Sequence, residues 1–572
     1  MITRLLGFSL LAVVVLACSA PARDQVDLVL RNGVVVTVDE EHPAAEAVAI
    51  TADKIVAVGS NREIDAYVGP ETQVIDLDGR LTIPGFIEGH GHFMGLGNAR
   101  MILDLTQVQN WDEIVGMVAS VASDAPAGEW IMGRGWHQEK WDGVPEGAVD
   151  GVPTHHSLSR VSPDNPVILT HASGHASFVN AKAMDLAGIT SATPDPSGGE
   201  IVHDAQGNPT GMMRERAQGL VSRVRSEAEA TRSAADLEAE ALRRVELAGE
   251  DLLSKGITSF HDAGSDFETI DLFKALAERQ NLPVRLYVMV RGESPEALEQ
   301  RLEQYKMTNH ANGFLTVRSI KQQIDGALGP HGAWLLEPYT DMRSSSGLAL
   351  QSVESLHRVA EIAIAHGYQV NTHAIGDRAN REVLDVYEEV FSGAGSPEDL
   401  RWRIEHAQHI HPDDIPRFAE MGVIASMQGV HATSDGPWVP ERLGDERTES
   451  GAYVWQDLMD AGAVVTNGTD VPVEDANPIA SFYATVSRKL NDGSVFYPAQ
   501  RMSREEALRS YTINSAWAAF EEAVKGSITP GKYADITVLS KNIMTIPEDE
   551  IPTTQVDVTI LAGKIAYQRA EN

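Results

Sequence analysis

The amino-acid sequence predicts an α/β fold: a (β/α)8 TIM barrel, with a small β-sandwich domain formed from both chain termini and an insertion after barrel strand 1. Through the middle of the chain, short apolar segments alternate with amphipathic segments of helical period, a pattern typical of βαβ units and a parallel sheet. The two ends are rich in Val and Ile and are punctuated by turn residues, which is typical of short strands.

Eight apolar segments of the central region predict the barrel strands, because eight β/α units close such a barrel. They are residues 83–88, 258–261, 284–290, 319–324, 369–372, 403–405, 423–427 and 464–467. Amphipathic segments between them predict helices over residues 268–280, 294–306, 353–366, 377–390 and 413–420. The stretch from about 106 to 211 is too long for one crossover. We expect it to be an insertion that lies over the active face of the barrel.

The terminal regions carry the strand pattern of a second, smaller unit. Segments rich in Val and Ile occupy residues 26–30, 33–38, 47–51, 54–59 and 73–76 near the beginning, and 534–539, 556–561 and 564–568 near the end. A strand-rich beginning matched by a strand-rich end favours one β-domain made from both. We therefore predict a composite β-sandwich domain from residues 24–82 and 522–572, and a barrel domain over residues 83–521.

The first residues predict a targeting segment. Arg4 precedes an apolar run from Leu5 to Ala17, which is too short to cross a bilayer, where ~20 residues are needed, but fits the core of a signal peptide. The run ends at Cys18 in a pattern that resembles the lipobox of bacterial lipoproteins. We expect residues 1–18 to be a lipoprotein signal peptide with its lipobox cysteine, and the protein to be exported and lipid-anchored, on the periplasmic or cell-surface face of a membrane. An ordinary cleaved signal peptide with an incidental cysteine is the alternative.

Charge and cysteine content limit the partners of the chain. Its formal net charge is −36, so its surface repels phosphate backbones, and no nucleic-acid partner is expected. Cys18 is the only cysteine, which excludes an intramolecular disulfide and a cysteine-rich zinc site. We expect a small-molecule substrate and contact with a membrane only through the lipid at Cys18. The sequence leaves a homo-oligomer open.

A pair of histidines follows the first predicted barrel strand. His90 and His92 are two residues apart, so strand alternation can aim both side chains into one cavity. Neutral imidazole is a common ligand of zinc. The chain has 19 histidines, however, and a His-x-His pair alone is a weak signal.

Other ligand-type residues occupy the corresponding ends of later strands. Lys321 lies in the fourth predicted strand, His373 and His406 close the fifth and sixth, and Asp470 follows the eighth. Barrel enzymes place their chemistry at the C-terminal ends of the strands. A set of separate structural histidines would have to explain all of these positions at once. The pattern predicts a metal centre that holds one or two Zn²⁺ ions per chain, with other divalent metals as alternatives.

Longer motifs surround these residues and carry a family resemblance. They occupy residues 84–92, 321–329, 373–377, 404–406, 426–428 and 468–470 in the barrel, 162–167 and 174–180 in the insertion, and 526–535 near the end. On these motifs the chain resembles the amidohydrolase superfamily, specifically its family-3 (YtcJ-like) branch, which includes N-substituted formamide deformylase. The similarity covers nearly the whole chain after the signal segment.

The resemblance implies a binuclear metal site. It implies that His90, His92 and Asp470 bind one metal and that His373 and His406 bind a second. Lys321 would be carbamylated and would bridge both metals. The alternative is a plain Lys321 amine paired with a carboxylate such as Asp325. Asp470 would also serve as the general base and then as the general acid.

The resemblance also implies residues that act on the substrate. His431 would support the developing oxyanion as a further catalytic residue. His175 and Asn180 would bind the substrate, with bracing of the loop as the alternative. Trp136 is a further candidate for substrate binding, by its position rather than by the resemblance. Trp136 lies in a predicted active-face loop, where it would suit an apolar or aromatic group, although tryptophans in loops also serve structural roles.

These expectations combine into one predicted activity. The chain is expected to be a metal-dependent hydrolase that cleaves an amide or related C–N bond of an apolar or aromatic N-acyl or N-formyl small molecule, with a metal-activated hydroxide as nucleophile. The alternatives are a deaminase or isomerase on the same barrel, since fold does not determine function, and a non-catalytic surface-binding lipoprotein with a vestigial metal site. Every candidate ligand position is filled, which favours catalysis over a vestigial site.

Overall fold

The computed structural model describes residues 25–393 and 400–570, so the signal segment and Cys18 lie outside the described residues. Within these ranges a parallel sheet of eight strands forms the centre of the molecule, and each strand pairs with the next along the chain. We label them β1 (Phe86–Gly91), β2 (Ile257–Ser265), β3 (Arg285–Val290), β4 (Leu315–Gln323), β5 (Gln369–Ala374), β6 (Arg403–His406), β7 (Ile424–Gln428) and β8 (Val465–Gly468). The predicted α/β barrel is confirmed.

The last strand meets the first through residues just beyond β8. The backbone N–H of Asp470 donates to the carbonyl of His90 (2.8 Å), and the N–H of His92 donates to the carbonyl of Val471 (2.7 Å). Thr469 adds two donors to the Glu88 carboxylate, its N–H at 2.5 Å and its hydroxyl at 3.2 Å. The ends of β1 and β8 that carry predicted metal ligands are therefore held together by hydrogen bonds.

Amphipathic helices cover the outside of the barrel. In one of them, Ser352 accepts from the N–H of Ser355 and starts the helix, and the apolar face, including Val359, is buried against the strands. The helices of the barrel region include Phe93–Ala99, Ala234–Ser254, Phe267–Glu278, Pro295–Tyr305, Val353–His366, Asp377–Phe391, Ile415–Met421, Gly429–Asp435, Val439–Leu443, Asp445–Gly451, Trp455–Asp460, Pro478–Ser487, Arg504–Ser510 and Ile513–Ala518.

Strands from both ends of the chain form two further sheets around one apolar core. The first sheet contains Lys54–Gly59, Ala47–Thr51, Leu28–Arg31 and Gln73–Asp76, and the second contains Lys564–Gln568, Val556–Leu561, Ile536–Leu539, Leu81–Pro84, Val34–Val36 and Ala44–Ala45. The expected β-sandwich from both termini is confirmed.

One predicted strand proves to be two. Residues 83–88 were expected to form a single barrel strand, but the chain changes sheets at Gly85. The N–H of Gly85 donates to Asp535 in the sandwich (2.9 Å), whereas the N–H of Phe86 donates to Gly256 beside β2 (3.0 Å). The sandwich thus leads directly into the strand that carries His90.

The segment between β1 and β2 contains the predicted insertion, which forms a mixed sheet with apolar clusters of its own. Its strands are Leu103–Asp104, Ile131–Trp136, Val167–His171, Ala176–Val179, Gly199–His203 and Pro209–Glu215, and its helices include Trp111–Asp124, His156–Val161, Ala181–Ala187 and Gln218–Glu229. The sheet begins before residue 106 and ends after residue 211. Over residues 25–393 and 400–570, no helix is both long and apolar enough to cross a membrane.

Candidate metal centre

A cavity of about 410 Å³ lies at the C-terminal ends of the barrel strands. The predicted ligands that line it are His92, Lys321, His373, His406 and Asp470. The remaining predicted ligand, His90, is fully buried behind them. Its Nε2 lies 3.3 Å from the Lys321 Nζ and 3.6 Å from the Asp470 Oδ1. The structure therefore brings all six predicted ligands to one place.

Two glycines, Gly89 and Gly91, allow β1 to pack closely against its neighbouring strands. A Cβ at Gly89 would collide with the carbonyl oxygen of Asn467 in β8, and a Cβ at Gly91 would collide with the ring of Phe260 in β2. Only glycine allows β1 to pass this closely between both neighbours. The Gly-His-Gly-His sequence thus combines close strand packing with two side chains that face the metal centre.

A buried carboxylate orients His90. Nδ1 of His90 contacts the Glu405 carboxylate, and both side chains are fully buried. Burial alone would raise the pKa of Glu405, but His90, Arg403 and Lys321 lower it to about 2. Burial and the charge of Lys321 lower the pKa of His90 to about 4. An ionised Glu405 and a neutral His90 leave Nε2 as the ring atom that can bind a metal.

Two ligands have strained backbone conformations. His406 has φ +76° and Asp470 has φ +56°, in the left-handed region that residues other than glycine rarely adopt. Such strain costs on the order of 1–3 kcal/mol per residue and is concentrated at functional sites. At the end of β6 it allows consecutive residues, Glu405 and His406, to serve the same centre.

His373 and His406 form the second histidine pair. Their ring centroids lie 4.4 Å apart, and Nδ1 of His406 lies 2.7 Å from Oε1 of Gln428. Burial lowers the pKa of both histidines well below the ordinary value, so both rings are neutral. Nε2 of His373 is buried, has no hydrogen bond among the residues described, and lies 3.5 Å from Oδ1 of Asp325. A buried imidazole nitrogen without a hydrogen bond, in a cluster of ligand atoms, fits a metal site.

The most compact set of ligand atoms takes residues from both predicted metal positions. One ligand atom each from His90, His406 and Asp470 lies within 4.8 Å of the other two. Nε2 of His92 lies 3.3 Å from Oδ1 of Asp470, beside this set. Burial would raise the pKa of Asp470, but His92, His90 and His406 hold it well below its ordinary value. Asp470 is therefore a carboxylate at neutral pH.

Lys321 lies among the histidines as a buried amine. Burial lowers the pKa of its amine to about 8. Among the ion pairs formed by the described residues, Lys321 has none with Asp325. The oxygens of Asp325 instead accept from the N–H groups of Trp334, Ile375 and Gly376 at 2.8–3.0 Å. The ion pair considered as the alternative to carbamylation is not formed.

Of the predicted substrate residues, His175 alone lines the cavity, and its Nδ1 lies 3.0 Å from Oε2 of Glu215. Asn180 does not line the cavity, and its contacts match the alternative role of bracing the loop. Its side chain caps the helix Ala181–Ala187 and is fully buried, with its oxygen accepting from the N–H groups of Val167 and Ala183. It braces the insertion and has no surface left for a substrate.

Trp136 and His431 also lie away from the cavity wall. Trp136 is buried in the core of the insertion and its Nε1 donates to the carbonyl of Leu169 (2.9 Å), which matches the structural role considered for it. His431 is buried in the helix Gly429–Asp435 and does not line the described cavity. Its Nε2 has no hydrogen-bond partner in the described part of the chain. An oxyanion role for His431 stays a prediction.

Several residues of the centre were missed from the sequence. Glu405 directly precedes His406, and strand alternation would place the two side chains on opposite faces. Glu215 pairs with His175 across two strands of the insertion sheet, and nothing in the sequence indicates this pairing. Arg134 and Arg291 also line the cavity, from the insertion and from the end of β3.

Comparison with known proteins agrees with the site. A model of the amidohydrolase family matches residues 73–567. YtcJ of Bacillus subtilis, which is named as an amidohydrolase, is 31% identical over 94% of this chain and 99% of its own length. N-substituted formamide deformylase of Arthrobacter pascens is 28% identical over 95% of this chain and 98% of its own.

A solved structure extends the similarity to the fold. The crystal structure of a metal-dependent hydrolase from Pyrococcus furiosus covers 91% of this chain and 100% of its own, with a TM-score of 0.69 and 28% identity. The region that the family model matches, residues 73–567, includes all eight barrel strands and all six predicted ligands. The chain belongs to the amidohydrolase family and is an enzyme of the metal-dependent hydrolase type.

Proposed function

We propose that the protein hydrolyses an amide or related C–N bond in an N-acyl or N-formyl small molecule, with Zn²⁺ as its metal. The observation that carries the proposal is the meeting of six ligand-type side chains, drawn from β1, β4, β5, β6 and the end of β8, in one cavity. The similarity to N-substituted formamide deformylase supports the type of bond.

We assign the residues of the metal centre to metal binding, proton transfer and orientation of the substrate. His90, His92, His373, His406 and Asp470 would hold the metal. A bound divalent cation would activate water and polarise the scissile carbonyl. Asp470 is ionised at neutral pH, so it can accept the proton of the attacking water and then donate it to the leaving amine. His175, held by Glu215, faces the same space and can orient the substrate.

We also propose that Lys321 is carbamylated. The neutral amine would attack CO₂, an N–C bond would form, and the amine proton would leave to water. The anionic carbamate could then bridge two metals, which a cationic amine cannot. Burial of Lys321 and its 3.3 Å contact with a ligand histidine, without a carboxylate from Asp325, support this modification. Mass spectrometry of the intact protein under native conditions should show an added 44 Da (the mass of CO₂) that Lys321→Arg abolishes.

The location of the protein is a separate proposal that rests on the sequence alone. The apolar run and Cys18 support export and a lipid anchor. Labelled fatty acid should enter the wild-type protein in cells and should not enter Cys18→Ser. Equal labelling of both proteins would contradict lipidation, and a shortened but unlabelled protein would indicate an ordinary signal peptide.

A substrate screen tests the proposed activity. The metal-loaded protein is incubated with N-formyl amines, N-acyl amino acids and anilides, and each reaction is assayed for the free acid and for the free amine. Equal amounts of both products are expected. Release of ammonia from an amino-substituted heterocycle, with no turnover of the N-acyl compounds, would indicate a deaminase. An isomerised product would indicate an isomerase, and a lack of turnover on every compound would favour a binding protein.

A further inference from the structure

The cavity contains two guanidinium groups that the proposed reaction does not use. Arg134 comes from the insertion strand Ile131–Trp136, and Arg291 comes directly after β3. Both line the same cavity as Asp470 and Lys321, and both are partly buried. They therefore face the space in which the substrate must lie.

Neither arginine is neutralised by an acidic partner. Among the described residues, no carboxylate lies within 4.0 Å of either guanidinium group, although the chain has 82 acidic and 46 basic residues. The carboxylates that act on them from farther away are Asp470 for both and Asp262 for Arg291. Burial outweighs this attraction, so the pKa of each guanidinium lies below its ordinary value.

Neutral acceptors hold the two groups in place. Arg134 donates from Nη2 to the carbonyl of Ala172 (3.0 Å) and from Nε to the carbonyl of Pro472 (3.3 Å). Arg291 donates from Nη2 to Oε1 of Gln323 (3.0 Å). Each guanidinium has five N–H donors, so most remain unused. The contacts orient the groups without an ion pair, so only the more distant carboxylates of Asp470 and Asp262 offset their charge.

Other buried arginines differ from Arg134 and Arg291 in that their guanidinium groups do not line this cavity. Buried Arg285 forms a bidentate ion pair with Asp535. Arg403 and Arg488 are also buried without a carboxylate, but they are enclosed by the protein and donate to its own carbonyls. Arg134 and Arg291 instead present free donors to a cavity large enough for a small molecule.

We propose that Arg134 and Arg291 form a subsite for a carboxylate of the substrate, so that the preferred substrates are N-acyl or N-formyl amino acids. A planar guanidinium matches a carboxylate with two parallel hydrogen bonds. The metal ligands and the arginines share one cavity of about 410 Å³, which suits a carboxylate close to the scissile C–N bond. This inference rests on the proposed function for the reaction, but it can be tested by binding alone.

The test uses a matched pair of probes, hippurate (N-benzoylglycine) and hippuramide, which differ only in the carboxylate. Calorimetric Kd values and kcat/KM are measured with the metal-loaded protein. Hippurate should bind at least about tenfold more tightly than hippuramide, because charged hydrogen bonds contribute roughly 1.5–3 kcal/mol. Arg134→Gln and Arg291→Gln should each remove most of that preference and leave hippuramide binding unchanged. Arg223→Gln, at an exposed arginine on a helix of the insertion region, should behave as wild type.

The outcomes separate the subsite from the reaction. Equal affinity for the two probes in the wild type would overturn the subsite. A hippurate preference that survives in both arginine variants would also overturn it, because the carboxylate would then bind the metal. Loss of affinity for both probes would indicate a structural role for the arginines. Arginine-dependent binding of hippurate without turnover of any N-acyl compound would uphold the subsite and refute the proposed reaction.

Discussion

The carboxylate of Glu405 contacts Nδ1 of His90, and neither side chain is exposed to solvent. This contact fixes the tautomer of His90 and turns its Nε2 toward Lys321 and Asp470. Glu405 is therefore a positioning residue: it acts on the metal through His90 and does not line the cavity. Such partners of ligand histidines influence metal binding nearly as strongly as the ligands do.

Removing the Glu405 carboxylate should weaken metal binding. Glu405→Ala is expected to lower the affinity for Zn²⁺ by about 10–100-fold, and Glu405→Gln, which keeps an acceptor, should recover part of the loss. Competition with a chelator of known affinity measures both. Circular dichroism must show a folded barrel in each variant. Wild-type zinc affinity in Glu405→Ala would show that the contact has no effect on the metal.

Asp470→Asn should separate metal binding from catalysis. The amide retains the shape of the side chain and a weak ligand oxygen but cannot accept a proton, which typically costs ~10²–10⁴-fold in rate. The variant should fold, retain at least the metal held by His373 and His406, and be nearly inactive on a substrate from the screen. Metal content and turnover are measured on the same sample. Turnover above about a tenth of wild type would show that Asp470 is not the general base. His175 would then be the first candidate, because it lines the cavity.

Metal removal should abolish activity reversibly. Dialysis against a chelator should eliminate turnover, and adding Zn²⁺ should restore it together with a higher Tm, because the ion binds the folded chain only. Elemental analysis of the restored enzyme should find close to two metals per chain. One metal at full activity would indicate a mononuclear site and would remove the bridging role of Lys321.

The ion pair between Arg285 and Asp535 should stabilise the junction of barrel and sandwich. Arg285 begins β3, and its Nε and Nη2 donate to the two oxygens of Asp535 at 2.7 and 3.1 Å, with both side chains buried. Asp535→Ala leaves a buried charge unpaired and should lower the free energy of unfolding by about 3–5 kcal/mol. Glu299→Ala, which removes an exposed ion pair with Arg358, should cost less than about 1 kcal/mol. Similar losses in the two variants, measured by urea unfolding, would argue against a special role for the buried pair.

The sequence predicted that the candidate ligands lie together because their positions follow strand geometry. His90 and His92 obey the two-residue alternation, and His373, His406 and Asp470 lie where strands end. Glu405 was missed because alternation assigns consecutive residues to opposite faces. The positive φ of His406 breaks this rule, and no glycine marks the position. Local strain of this kind depends on the surrounding fold.

The insertion was harder to predict than the barrel. Asn180 and Trp136 were expected to face the substrate, but the insertion has enough apolar residues for its own core, and both side chains contribute to its packing. Arg134 and His175 do reach the cavity. Arg134 is ordinary in its sequence surroundings, whereas His175 lies in a motif of the family resemblance. They meet the metal centre only through the placement of one folded unit over another, which a local pattern does not reveal.

The pairing of Leu81–Pro84 with Ile536–Leu539 affects how the chain is made. The ribosome completes every barrel strand before it makes Ile536–Leu539, the strand that pairs with Leu81–Pro84 directly before β1. Until then, Leu81–Pro84 presents an open edge on one side, the kind of surface that pairs with other chains. This edge therefore closes only after the whole barrel has been made, and a nascent chain stalled before residue 536 would carry all six candidate metal ligands beside an unprotected strand.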